Sequence, residues 1–376
     1  MSTTVRPFSL FLITSALLAL AACGSSGTKV CNQTGGCCGG PTACPSQAFL
    51  LANTINSQIA TYPVIAGSVV GTPTLTPSAS ASLGMVVMNN QFVYASNPTP
   101  LSGGVVEAWT IAVGTGTLTT IPGLSLGISS AAGGMAVDSP FSVLYVADAG
   151  KIDALQANAS GALTPLANSP FTSGTNLYLT VDPMNRFLFA SDDDPPGGVL
   201  AFTIDSTGGL VAVPGSPFPA TTNLGVNSRP EEITVDASGS YVYTALNATG
   251  QVAGFAINAT TGALTPVPGS PFAAGSGPLA IATTDRYSGS YLYVANATDG
   301  TVSGYSINLA NGMLTPVPGS PYPIAAGAFI ANGSTFFAST AAGIRVFDIN
   351  TQTGALTEVS GSPFPGPGAT VLAFVP

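Results

Sequence analysis

One nine-residue phrase constrains this chain more than any other feature. Leu264-Thr265-Pro266-Val267-Pro268-Gly269-Ser270-Pro271-Phe272 returns as Leu314 to Tyr322, with tyrosine in the last place, and in looser form from Leu163, Leu210 and Leu356. The copies start 47, 54, 50 and 42 residues apart. Each follows a small apolar segment and a turn, such as Val302 to Asn308, and that segment follows an aromatic one, such as Tyr291-Leu292-Tyr293-Val294-Ala295-Asn296. A further apolar segment ending near Asp and Gly comes first, as in Ile233-Thr234-Val235-Asp236-Ala237-Ser238-Gly239. Alternating Val, Ile, Tyr and Phe between Gly, Pro, Asn and Asp turns predicts strands. Four short strands per period of about 40–55 residues predict a β-propeller blade. A lone blade leaves both faces bare, so neighbours must cover them.

The aromatic strand appears six times clearly: at Phe92, Leu144, Phe187, Tyr241, Tyr291 and Phe336. A seventh, weaker copy begins at Phe49, with a degenerate fourth strand near Thr72 to Thr76. The C-terminal stretch 369–375 looks like the strand that precedes an aromatic strand, yet none follows it, and the copy at Phe49 lacks such a predecessor. The expected fold is therefore all-β, a seven-bladed propeller of four-stranded blades over 46–376, its ring closed by pairing of the terminal strands. Seven units over that span give about 47 residues each, which matches the repeat.

Composition fits and excludes. Charged residues are 6% of the chain, against about 25% in ordinary domains. The 45 Gly and 31 Pro rule out a mainly helical protein, since they cost about 1 and 3 kcal/mol inside helices. Seven basic residues and a net charge of −9 argue against nucleic-acid partners. There is no histidine, which removes the Ser-His-Asp and Cys-His arrangements and the usual general base near neutrality.

The N-terminus reads as an address. Arg6 precedes an apolar run from Phe8 to Ala22, short for a bilayer span and suited to a signal peptide over 1–22. The run ends Leu20-Ala21-Ala22-Cys23, similar to the bacterial lipobox, which makes Cys23 the lipidated first residue. The alternative is an ordinary secretory signal with a chance cysteine. Gly24 in place of Asp points to the outer membrane, with a periplasmic or surface-facing propeller. Residues 23–45 form a Gly-, Ser- and Thr-rich tether. Its Cys31, Cys37, Cys38 and Cys44 contain no C-x-x-C pair, so two disulfides are expected in an oxidising compartment.

The repeats resemble the YVTN-type, lactonase-like seven-bladed propellers, which include the bacterial 6-phosphogluconolactonases. The matching pieces are Tyr293-Val294-Ala295-Asn296, the Gly-x-Leu-Thr turn strand, and the run from Ile233 to Tyr241. The resemblance covers 46–376 and implies the fold more firmly than the activity. Active members tend to show Pro-Arg-His before an inner strand, and the counterpart here is Pro230-Glu231-Glu232-Ile233. Glu231 and Glu232 thus stand where the resemblance would place arginine and histidine.

Several residues remain as candidates. Glu231 and Glu232 sit where an inner strand begins, near one channel mouth. As neighbours on a strand they should point to opposite faces and so not form an acid/base dyad. Arg229 is placed to pair with either, and a plain structural ion pair is the alternative to a catalytic carboxylate. Asp192-Asp193-Asp194 offers three carboxylates on one loop for Ca²⁺, against a solvated, proline-stiffened loop. Asp138, Asp182 and Asp236 recur where the inner strand ends and read as turn caps. Trp109 shares the third-strand aromatic position of Phe202, Phe255, Tyr305 and Phe347 and reads as core.

With its usual catalytic side chains missing, the chain is expected to act as a non-catalytic binding or scaffold module. Its partner would be an envelope protein, peptide or glycan, and the protein a monomer held to the membrane by its lipid. No cofactor beyond the Ca²⁺ candidate is expected. The alternative is a lactonase-like hydrolase in which Glu231 or Glu232 activates water.

Overall fold

The computed structural model describes residues 48–65, 68–69, 72–79, 81–97, 105–122, 132–148, 150–172, 174–221, 227–285 and 290–376. Each sequence repeat is one antiparallel sheet. In the unit with the most regular spacing, Pro230–Val235, Tyr241–Leu246, Gln251–Ile257 and Leu264–Pro266 pair in chain order. Six sheets follow that plan and a seventh joins the two ends of the propeller. There Ala48–Thr54 pairs with Gln58–Ile65 on one side and with Ala369–Val375 on the other, Phe49 opposite Val375 and Leu51 opposite Ala373. The first strands of successive sheets contact one another around a closed ring, so their outer edges line a central channel. The expected seven blades and the terminal closure are both present. Beside the third strand of this closing blade lie two short outer strands, Ser68–Val69 opposite Val64 and Ile65, and Thr74–Pro77, which falls at the expected degenerate position and pairs through Ile59 and Thr76.

The second strand explains the chain's lack of charge. All six residues are buried in Phe92–Asn97, Val143–Asp148, Phe187–Asp192, Tyr241–Leu246, Tyr291–Asn296 and Thr335–Thr340. Alternate residues face opposite sides of the sheet, so both sides are covered by neighbours. The hydrophobic core accordingly forms seven clusters, each shared by two adjacent blades. Trp109 lies in one of them with Phe49, Val93 and Ala373, as its position predicts.

The repeated residues clasp blade to blade. The Tyr94, Tyr145, Tyr243 and Tyr293 hydroxyls donate to the carbonyls of Gly161, Gly208, Gly312 and Gly354, each in the turn between third and fourth strands of the next blade. Those glycines have positive φ, and a Cβ at Gly354 would strike the Tyr291 ring at 2.5 Å. The serine of the Ser-Pro-Phe phrase serves its own blade. Ser169, Ser216, Ser270, Ser320 and Ser362 accept from the third-strand N–H of Ala154, Ala201, Gly254, Gly304 and Val346.

The recurring aspartates cap the hairpin between first and second strands. Asp236 Oδ1 accepts from the N–H of Ser240 and Tyr241, and Asp182 Oδ1 from Arg186 and Phe187. Asp138 accepts a long contact from Phe141 N–H, 3.4 Å.

Candidate site at the channel mouth

The inner strand Pro230–Val235 does not run regularly into its partner. Pro230 is opposite Leu246, but Ile233 is opposite Thr244, so one extra residue bulges at Glu231–Glu232. The Thr244 hydroxyl faces both bulge carbonyls, at 3.4 Å from Glu231 and 3.2 Å from Glu232. Bulges bend a strand and re-aim its side chains, and they are frequent beside active sites. The preceding blade has the same irregularity between Asn176 and Leu179, where the Ser191 hydroxyl accepts from Tyr178 N–H. Counted from the strand start, Tyr178 occupies the place of Glu232.

The two glutamates part as strand neighbours should. Glu232 reaches the following blade, where its Oε2 accepts from Ile281 N–H at 2.8 Å. Glu231 is buried and lies 3.7 Å from Arg229. Arg229 has a left-handed φ of 47°, its N–H donates to Asn227 Oδ1, and its carbonyl accepts from Asn247 N–H. Its guanidinium stays about half exposed. Asn227 in turn donates to the Asp193 carbonyl at 3.2 Å.

Electrostatics ties these groups together. Burial pushes the Glu232 carboxyl up to about 7, against the lowering effect of the Ile281 N–H. Burial also raises Glu231, with Arg229 lowering it and Asp193 raising it further. The Tyr178 hydroxyl is raised by burial and then by the charges of Glu232 and Glu231, so it stays a proton donor across the physiological range. Glu231, Glu232 and Arg229 thus stand at the bulged start of one inner strand, and the Tyr178 ring, packed on the core between its blade and the next, feels the charge of both glutamates. That set can bind a polar ring, take a proton from water and stabilise a developing oxyanion.

The strict alternation expected of Glu231 and Glu232 needs one amendment. They do face different neighbours, and the Tyr178 hydroxyl feels the charge of both. Sequence reading missed Tyr178, because its blade starts with an apolar strand whose irregularity appears only in the pairing.

The aspartate loop is arranged around its own backbone. Asp194 accepts from the Thr175 hydroxyl at 2.8 Å, Asp192 accepts from Asp194 N–H, and Asp193 is engaged by Asn227. Among the described residues no group of three His, Cys, Asp or Glu side chains is placed to hold a metal ion. The loop borders a cavity of about 240 Å³ with Pro195, Pro196, Pro217 and Pro219. Cys23, Cys31, Cys37, Cys38 and Cys44 lie outside the described residues.

Two further polar groups mark the ends of second strands on this face. Asn97 donates to Glu107, whose Oε2 also accepts from Ala79 N–H. Asp148 pairs with Lys151 at 3.1 Å, and burial raises the nearby Asp153.

Comparison with known proteins agrees with the geometry. The model of the family described as "Lactonase, 7-bladed beta-propeller" matches residues 217–325, the segment that contains Arg229, Glu231 and Glu232. No curated protein matches the sequence. A candidate 6-phosphogluconolactonase of Bacteroides fragilis superposes with a TM-score of 0.72 at 19% identity, covering 90% of this chain and 100% of its own. A similar candidate from Bacteroides uniformis gives 0.71 at 19%, covering 88% and 99%. The periplasmic gluconolactonase of Pseudomonas aeruginosa gives 0.70 at 19%, again covering 88% and 99%. At these identities the likeness is one of fold: the chain is a seven-bladed propeller, and its residues 217–325 resemble the lactonase family.

Proposed function

Proceeding from a lactonase-like propeller, we propose that this protein is a hydrolase that opens a lactone ring. The observation that carries the reading is the pair of glutamates with Arg229 at the bulged start of one inner strand, with Tyr178 near enough to feel the charge of both. The family match over the same segment supports it. It is preferred to a non-catalytic binding module because the named neighbours are lactonases and because a carboxyl held near 7 fits a general base.

In this mechanism Glu232 accepts a proton from a water that attacks the lactone carbonyl. Its neutral-range pKa lets it serve as base near pH 7 and return the proton afterwards. Tyr178 and Arg229 supply donors for the carbonyl oxygen as it becomes an oxyanion. Collapse of the tetrahedral intermediate breaks the ring C–O bond. The proton held by Glu232 goes to the departing ring oxygen, leaving a hydroxy acid. Glu231 holds Arg229 in place and balances its charge.

The exported, lipid-anchored placement read from Cys23 is part of the same proposal. It suits the likeness to a gluconolactonase named as periplasmic.

The deciding experiment follows ring opening by the purified protein on a panel of sugar and aliphatic lactones, beside Glu232→Gln. Turnover above the spontaneous rate that the variant loses is the expected result. Turnover equal in both forms removes Glu232 from the chemistry, and none on any lactone ends the hydrolase reading.

A further inference from the structure

The cations of the propeller are few, and their partners determine what the mouth can accept. Among the described residues the basic side chains are Lys151, Arg186, Arg229 and Arg345. Each lies against a carboxylate: Asp148 at 3.1 Å, Asp182 at 2.8 Å, Glu231 at 3.7 Å and Glu358 at 2.6 Å. At the mouth, Glu231 neutralises Arg229, while Asp193 lies close enough to raise Glu231 and Glu232 adds a titrating carboxyl. The local balance is negative. A phosphate group favours unopposed Arg or Lys and bidentate contacts, and each described cation already shares its charge with a carboxylate.

We infer that the mouth selects by charge: it admits an uncharged lactone, rejects a phosphorylated one, and expels the carboxylate that ring opening creates. Glu231 is the specificity-determining residue, because it sets its negative charge 3.7 Å from the half-exposed guanidinium that an anionic substrate would need. This rests on the lactonase reading above and deepens it by naming the substrate class. The physical basis is Coulombic: a dianion brought to a mouth where carboxylates outnumber the one described arginine is repelled, and salt screens that repulsion only in part.

The test compares kcat/KM for glucono-1,5-lactone and its 6-phosphate at low and high ionic strength. A preference of roughly 30-fold or more for the uncharged lactone is expected at low salt. It should narrow as salt rises from about 0.01 to 0.5 M. In Glu231→Gln the freed Arg229 should cut the preference by about tenfold, whereas loss of a merely structural contact would slow both substrates alike. Calorimetry with the non-hydrolysable gluconolactam and its 6-phosphate keeps this inference separate from the catalytic one. Binding of the uncharged lactam alone supports charge selection even if no lactone turns over. Equal or tighter binding of the phosphorylated lactam overturns it, as does binding of neither.

Discussion

The Tyr293 hydroxyl donates to the Gly354 carbonyl across a blade boundary, at 2.7 Å. The same clasp recurs at Tyr94–Gly161, Tyr145–Gly208 and Tyr243–Gly312. It joins the aromatic strand of one unit to the turn of the next, and so links two features of the sequence repeat. Tyr293→Phe should cost about 1 kcal/mol, the net worth of one buried hydrogen bond plus an unsatisfied carbonyl. Gly354→Ala should cost about 1–3 kcal/mol, since it adds a Cβ against the Tyr291 ring at a φ of +73°. Denaturant titration of the two variants checks both the order and the size.

Glu232→Gln should lower kcat by about 10²- to 10⁴-fold, the usual range for a lost general base. The fold should survive, because a glutamine oxygen can still accept from Ile281 N–H. Circular dichroism with a lactone assay separates these two outcomes.

The raised carboxyl also sets a pH dependence. Activity should climb as pH rises through about 7, where Glu232 becomes the free base. Stability moves the other way. A folded-state pKa above the unfolded value means that the folded protein holds an extra proton between about 4.5 and 7, so this group's contribution falls as pH rises through that window. In Glu232→Gln that part of the slope should vanish from melting temperatures measured at pH 4, 5.5 and 7.5.

Glu358 behaves in the opposite sense. Arg345 grips it through two nitrogens, at 2.8 and 2.6 Å, and Ser362 donates to it, holding the carboxyl down at about 2. Its stabilising contribution is complete above its ordinary pKa of 4.5 and is lost as pH falls toward 2. Glu358→Gln should therefore lower the melting temperature at pH 7 and leave it nearly unchanged at pH 2.

For the proposed lipid anchor, cells grown with labelled palmitate should incorporate label into the wild-type chain and not into Cys23→Ser. Label in neither places the protein outside the lipidated class.

The architecture was legible because the repeat states it. Leu264 to Phe272 marks the outer strand, Tyr291 to Asn296 the central one, and the unmatched strand 369–375 announces closure. The site was only half legible. Glu231, Glu232 and Arg229 stood out as rare charges at a strand start. Tyr178 did not, since a tyrosine among apolar neighbours reads as core until its blade is laid over the next. The bulge beneath both depends on strand pairing, which no single segment encodes. The Asp192 to Asp194 run offered either a Ca²⁺ loop or a solvated, proline-stiffened one, and in the fold Asp194 and Asp192 accept from the Thr175 hydroxyl and the Asp194 N–H.

The seam between Ala48–Thr54 and Ala369–Val375 has a consequence for how the molecule comes into being. The Thr370 hydroxyl donates to the Asn53 carbonyl across 317 positions of chain and to Ser82 as well. Contacts of such separation pay the largest loop-closure entropy and form late. During synthesis six sheets can assemble while the starting sheet waits, short of a strand, for residues made more than 300 positions later. Until then its edge is open to pairing with another chain. A chain lacking Ala369–Val375 would therefore remain a sticky intermediate, and that seven-residue strand is the latch that turns it into a closed ring.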